Sequence, residues 1–179
     1  MCIRDRPFDA RRDGLVIGEG GCTFILEDLE FAKARGAHIT SPQSEPMAQA
    51  MRLDLSDAGL SPEDIGYVNA HGTATDRGDS AESQATLSVF GSRPPVATLK
   101  GYMGHTLGAC GSLEAWMSIM MMREGWFAPN LNLDAVAPDC APLNYIQGAP
   151  LELQTDCVMS NNFAFGGINT SLVFGRWRE

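Results

Sequence analysis

The chain has 179 residues, 44% hydrophobic and 20% charged, a composition that excludes a disordered tail and provides one domain with a sizeable core. Twenty-two acidic residues against thirteen basic ones give a formal charge of -9, a field that repels nucleic-acid backbones and anionic lipid surfaces. The most apolar run, Leu113 to Met122, is too short to cross a bilayer and carries Glu114, so no membrane span is expected.

Met1 to Arg6 has no apolar core and is no signal peptide. Its M-C-I-R-D-R matches the translation of a sequencing adapter, so residues 1–6 are set apart as a non-native leader and residues 7–179 as the domain. Gly18 to Gly21 precedes Cys22 to Leu26, an apolar, β-rich segment that predicts a buried strand. Leu29 to Arg35 predicts a short helix ended by Gly36. Pro46 to Ala58 places Met47, Ala50, Met51, Leu53 and Leu55 at roughly helical spacing, with Gly59 as the stop.

A strand over Gly66 to Asn69 leads into a polar loop from His71 to Gly78. Asp79 is expected to cap a helix from Ser80 to Phe90, with Glu82 completing a capping box. Thr106 to Met122 is apolar nearly all round and begins with Gly108, Ala109 and Gly111, which predicts a central helix packed on every side. Strands over Cys157 to Ser160 and Thr170 to Phe174 flank a loop from Asn161 to Asn169. Strands alternating with helices indicate an α/β sheet covered on both faces.

Three loops hold groups that are costly to bury without a purpose: Asn69 to Thr75, Lys100 to His105 and Asn161 to Asn169. In α/β proteins such loops converge at the carboxyl ends of the strands. His71 and His105 both adjoin glycines, yet a loop histidine is most often only a hydrogen-bonded polar residue. Two histidines with no third ligand at metal spacing make no zinc signature, and no metal site is expected. Gly18 to Gly21 precedes a strand rather than opening a helix, so it reads as a tight turn, not a phosphate loop. The five cysteines, dispersed and odd in number, fit reduced thiols in a cytoplasm.

Taken together, four strings resemble a family. They are Pro7-Phe8-Asp9 with Arg12-Asp13-Gly14 and Gly18-Glu19-Gly20, then N-A-H-G-T-A-T from Asn69, L-K-G-Y-M-G-H-T-L-G-A-C-G from Leu99, and S-N-N-F-A-F-G-G-I-N from Ser160. In this order they are similar to the elongating β-ketoacyl-[acyl-carrier-protein] synthases of the Cys-His-His class, over Pro7 to Phe174. The resemblance implies the C-terminal half of a thiolase-like α/β fold, a mixed sheet with helices on both faces in βαβαβαββ order. One strand of that pattern is expected to be missing after Ile39.

It further implies that His71 and His105 stabilise negative charge on a thioester oxygen during decarboxylation of a malonyl group. Lys100 would set the local potential. Thr73 and Thr75 would hydrogen-bond the phosphopantetheine arm. Phe165 would be an aromatic gate that, with Gly166, forms a second oxyanion site, and Asn169 would be structural beside it. Glu114 matches a buried helix carboxylate that needs a partner such as Lys100 or a loop amide. Asp79 and Glu82 are structural caps first. Ala164 stands where the family usually has glycine, which would restrict the swing of Phe165.

The family's nucleophilic cysteine belongs to the other half of the fold, so this chain alone should not turn over; Cys22 and Cys110 read as small core residues. No cofactor of its own is implied, since substrates ride on acyl carrier protein, and the partners are that carrier and a second subunit in a homodimer or heterodimer. Three rivals stand beside this reading: a non-catalytic chain-length-factor subunit, a thiolase-like coenzyme A enzyme, and a plain lipid- or protein-binding domain. The retained histidines, threonines and Lys100 argue against the first and H-G-T-x-T with a second histidine against the second, while the third predicts that substituting His71 and His105 leaves the pathway's activity unchanged; the condensing-enzyme reading itself requires that the two rings meet at one place.

Overall fold

The computed structural model describes residues 6–12, 14, 42–164 and 166–177. The expected strand at Cys22 to Leu26, the helix at Leu29 to Arg35 and the gap after Ile39 lie outside the described residues, as does Phe165.

Helix α1 is Ser44–Ala58, closed by Gly59 in the left-handed conformation, as its stop signal predicts. It buries Met47, Ala48, Met51 and Leu55, an i, i+4, i+8 stripe, whereas Leu53, expected on that stripe, is exposed. A 3₁₀ turn at Pro62–Asp64, with Ser61 and Asp64 bonded reciprocally, delivers the chain to strand β1, Tyr67–Asn69.

Helix α2 is Asp76–Phe90, four residues earlier than expected, and neither Asp79 nor Glu82 caps it. Its N-cap is Thr75, whose side chain makes no capping bond. Asp79, Glu82, Ser83 and Thr86 instead form the inward stripe of α2, fully or almost fully buried. The shared i, i+3 spacing suits a capping box and an inward helix face equally well, and here tertiary contacts select the face.

Strand β2, Pro95–Ala97, runs into a single helical turn, α3, Lys100–Met103, where a loop was expected. A 3₁₀ turn at Leu107–Ala109 then leads into helix α4, Cys110–Glu124. Short strands follow: β3 Trp126–Phe127, β4 Asn144–Tyr145 and β5 Leu151–Glu152. Strands β6, Cys157–Phe163, and β7, Asn169–Gly175, are longer than expected and pair as an antiparallel hairpin, which shortens the loop between them.

Among the described residues the main sheet has the order β4-β2-β1-β6-β7, parallel except for β7, with β3 and β5 forming a separate antiparallel pair. Alternation along β1 sends Val68 to one face and Tyr67 to the other. On the first face Val68, Val96 and Met159 pack with Met51, Leu55, Ala85 and Phe90 of α1 and α2. On the second, Tyr67, Ala97 and Val158 pack with Met121 and Met122 of α4 and with Phe127. The sheet is thus covered on both faces, as expected.

Helix α4 is not packed on every side. Trp116 is 61% exposed and Leu113 38%, while Glu114, Ser118, Met121 and Met122 are buried. A helix that is apolar all round calls for cover all round, and among the described residues nothing covers this side.

Candidate active site

The parallel strands β1, β2 and β6 deliver their carboxyl ends to one rim, and the chemistry-bearing residues leave from there. His71 follows β1 by two residues, Lys100 follows β2 by three, and Phe163 ends β6.

The loop after β1 is held by carboxylates from α2. Glu82 accepts from the amides of both His71, at 2.7 Å, and Gly72, at 2.8 Å. Asp79 accepts from the Thr73 amide at 3.1 Å. Gly72 adopts φ +41°, and a β-carbon there would lie 2.8 Å from the Thr98 side chain, so glycine alone fits beside the histidine. Burial pushes Glu82 up to about 8 and Asp79 up to about 6, and in each case the amide donors oppose the shift.

His105 enters after Gly104, whose φ of +70° and ψ of -178° belong to a region open essentially to glycine. The rings of His71 and His105 stand edge to face, their centroids 5.2 Å apart at 86°. Both histidines are buried, each 8% exposed. His71 Nδ1 lies 3.2 Å from Lys100 Nζ, and His105 Nδ1 accepts the Leu107 amide at 3.0 Å. With both Nδ1 atoms facing donors, each neutral ring carries its proton on Nε2. Burial, then the charge of Lys100, then His105 hold His71 well below the usual histidine range. Burial and Lys100 lower His105 to about 4. Both rings are therefore neutral donors at physiological pH.

Lys100 is fully buried and bonds Glu114 Oε1 at 2.5 Å. Burial acts to lower the ammonium's pKa, and Glu114 overrides it, so Lys100 is held above its ordinary value. Burial raises the Glu114 carboxyl while the ammonium opposes that rise. Lys100 Nζ has two hydrogen-bond partners, Glu114 Oε1 and His71 Nδ1, and the carboxylate is the one that favours its charged form. The expected Lys100 partner for Glu114 is thus the one present.

Thr73 is buried and Thr75 half-buried on the loop after His71, their Oγ1 atoms 3.0 Å apart. Gly166, at φ +85°, is exposed in the hairpin turn, and Asn169 pairs with Phe163 across the hairpin, so both stand on the segment that carries Phe165.

Four participants were not legible. The Phe163 ring stands 6.1 Å from His71, and only the phase of β6 could have separated it from its loop neighbours. Cys110 is buried as expected, but it touches the Lys100–Glu114 pair rather than only apolar core; its i, i+4 spacing to Glu114 is the signal that was available. Asp79 and Glu82 act on the histidine loop and not as caps. Burial raises the Cys110 thiol and lifts Cys140 to about 11, which makes neither a ready nucleophile.

Known proteins are similar to this chain in sequence and in fold. Residues 26–134 match the family model "Beta-ketoacyl synthase, C-terminal domain". The chain is 37% identical to the 3-oxoacyl-[acyl-carrier-protein] synthase 2 of Coxiella burnetii, over 96% of this chain and 46% of that protein. That alignment runs over 192 positions, more than this chain possesses, so residues of the relative have no counterpart here. The crystal structure of a β-ketoacyl synthase from Burkholderia phymatum STM815 superposes with a TM-score of 0.87 at 57% identity, covering 98% of this chain and 47% of that one. The ishigamide ketosynthase/chain length factor gives 0.84 at 35%, covering 97% and 47%. The chain spans about half the length of the curated relatives it matches. With the paired imidazoles, the buried lysine–glutamate pair and a matching domain over more than half its length, this chain belongs to the β-ketoacyl synthase family and contains that family's C-terminal domain.

Proposed function

We propose that the chain works as the oxyanion-stabilising half of a β-ketoacyl-[acyl-carrier-protein] synthase. The reaction is a decarboxylative Claisen condensation in fatty-acid or polyketide synthesis, carried out in the cytoplasm. The observation that carries this is the pair of buried imidazoles with their centroids 5.2 Å apart, each with its Nδ1 facing a donor, which leaves Nε2 to carry the proton. One oxygen receiving two hydrogen bonds of about 2.9 Å needs donors no more than about 5.8 Å apart, and rings with centroids 5.2 Å apart are near enough for both to face one oxygen.

When the bond between the malonyl carboxylate and its α-carbon breaks, the electron pair moves into the thioester and negative charge collects on its oxygen. His71 and His105 donate to that oxygen in a site dry enough for the bonds to count. The enolate carbon then attacks an acyl thioester, and the thiolate that carried the acyl group leaves. We assign that thiol to a cysteine outside this chain: among the described cysteines, burial raises the thiols of Cys110 and Cys140, and none of the three leads from a strand into a helix.

Thr73 and Thr75 hydrogen-bond the phosphopantetheine arm, and Phe165 with Gly166 gates the acyl side, where Ala164 narrows its swing. No cofactor of the protein's own is required, since substrates arrive on acyl carrier protein. A second ketosynthase-fold subunit, identical or of the chain-length-factor kind, completes the assembly. A purely chain-length-setting role is disfavoured by the intact donor pair and by Lys100, which such a role does not use.

The test uses the contiguous full-length protein with malonyl-acyl carrier protein. His71→Ala with His105→Ala should abolish decarboxylation while the acyl group still loads onto the nucleophile. Unchanged decarboxylation in the double variant would refute the proposal.

A further inference from the structure

A strap far from the histidines in sequence lies against their loop. Phe8 is fully buried and adopts φ +64°, a left-handed conformation that costs a Cβ-bearing residue about 1–2 kcal/mol. Three contacts offset that cost. Its amide donates to Asp79 Oδ2 at 2.6 Å, its carbonyl accepts the Ala137 amide at 2.9 Å, and its ring packs on Tyr145 with centroids 5.2 Å apart.

Asp79 joins the strap to the loop, since its other oxygen holds the Thr73 amide. The Phe8 ring also touches the loop directly: a β-carbon on Gly72 would meet Phe8 Cε2 at 3.1 Å. Beyond the ring, the Gly14 amide donates to the Ala74 carbonyl at 2.8 Å. The flanks are pinned as well. Asp9 accepts the amides of Arg11, Asp134 and Ala135, and Arg12 reaches the Asp76 carbonyl at 3.0 Å and the Asp139 carboxylate at 2.8 Å.

We infer that Phe8 is a positioning residue for His71: its ring is the floor under Gly72, and its left-handed backbone aims one amide at the carboxylate that holds the same loop. An ordinary φ at residue 8 would turn the amide away from Asp79, and a smaller side chain would open a void under the residue that follows His71. Either change lets the imidazole drift from the oxyanion, and a displacement of about 1 Å costs on the order of a hundredfold in rate.

This inference rests on the oxyanion reading of His71 and His105, and the experiment separates the two. In the full-length protein, malonyl decarboxylation and acyl loading of the nucleophile are measured separately for wild type, Phe8→Leu and Phe8→Ala. Decarboxylation should fall on the order of tenfold in Phe8→Leu and a hundredfold in Phe8→Ala, with loading per folded molecule within about threefold of wild type. A merely structural role would lower both activities equally by reducing the folded fraction. Equal losses, or no loss in either variant, overturn the strap's role. If Phe8→Ala does not fold, Phe8→Leu decides by the same ratio. A wild-type protein that loads acyl groups yet does not decarboxylate rejects the oxyanion reading itself.

Discussion

Replacing Lys100 by methionine separates two jobs that one ammonium performs. Its removal leaves Glu114 buried without the partner at 2.5 Å, and an unpaired buried charge costs about 3–5 kcal/mol unless the carboxyl takes up a proton. Its removal also takes away the donor at His71 Nδ1, so the imidazole is free to place its proton there and present a bare Nε2 to the developing oxyanion. Loss of one such donor costs about 3 kcal/mol of barrier, a hundredfold or more in rate. The double variant Lys100→Met, Glu114→Leu removes the orphaned carboxyl along with the ammonium and should recover most of the lost stability. It should not recover the rate. Thermal unfolding and malonyl decarboxylation, measured on the full-length protein, read the two effects separately. A double variant that decarboxylates within about threefold of wild type would refute the claim that the ammonium sets the His71 tautomer.

Other outcomes follow from the same geometry. Because burial and Lys100 lower His105 to about 4 and hold His71 well below the usual histidine range, the decarboxylation rate should show no loss from imidazole protonation near 6.5. The acid limb due to His105 should fall instead as pH drops through about 4, and a pH–rate profile checks this. Glu82 is raised to about 8, so the folded state holds more protons than the unfolded one between the ordinary carboxyl value and 8. Its contribution to stability therefore declines as pH rises through that window, and chemical denaturation across pH should show a shallower slope in Glu82→Gln, most clearly between about 6 and 8, above the raised value of Asp79. That variant also presents an amide donor to one of the His71 and Gly72 amides, orphaning it at a cost of about 1–3 kcal/mol. Thr75→Val should raise the KM for carrier-protein substrate by up to about tenfold with kcat little changed, the worth of one neutral hydrogen bond. Equal KM values would remove the threonine from the arm's path.

Local rules held where local physics decides. The stop at Gly59 follows from left-handed backbone and the strand at Tyr67–Asn69 from β-rich apolar residues, and both were legible. The start of α2 was not, because Asp79 and Glu82 satisfy a capping box on paper while their carboxylates bind loop amides that lie beside them only in the folded chain. The short strands β2 to β5 carry too few residues for any period to register, and they exist because neighbours pair with them. Helix α4 shows the opposite limit: its all-round apolar pattern demanded full cover, and the exposure of Trp116 reflects what surrounds it, which no pattern within one helix specifies.

By itself the amino-acid sequence determined the α/β class, the three segments that gather at the carboxyl rim of the sheet and the candidacy of the two imidazoles, since residue type and motif order are local properties. Tertiary structure alone decided that those rings stand 5.2 Å apart, that a lysine and a backbone amide occupy their Nδ1 atoms, and that a strap around Phe8 supports the loop. Tautomer, desolvation and aim depend on atoms brought together from distant parts of the chain. Such quantities have no local signature to read.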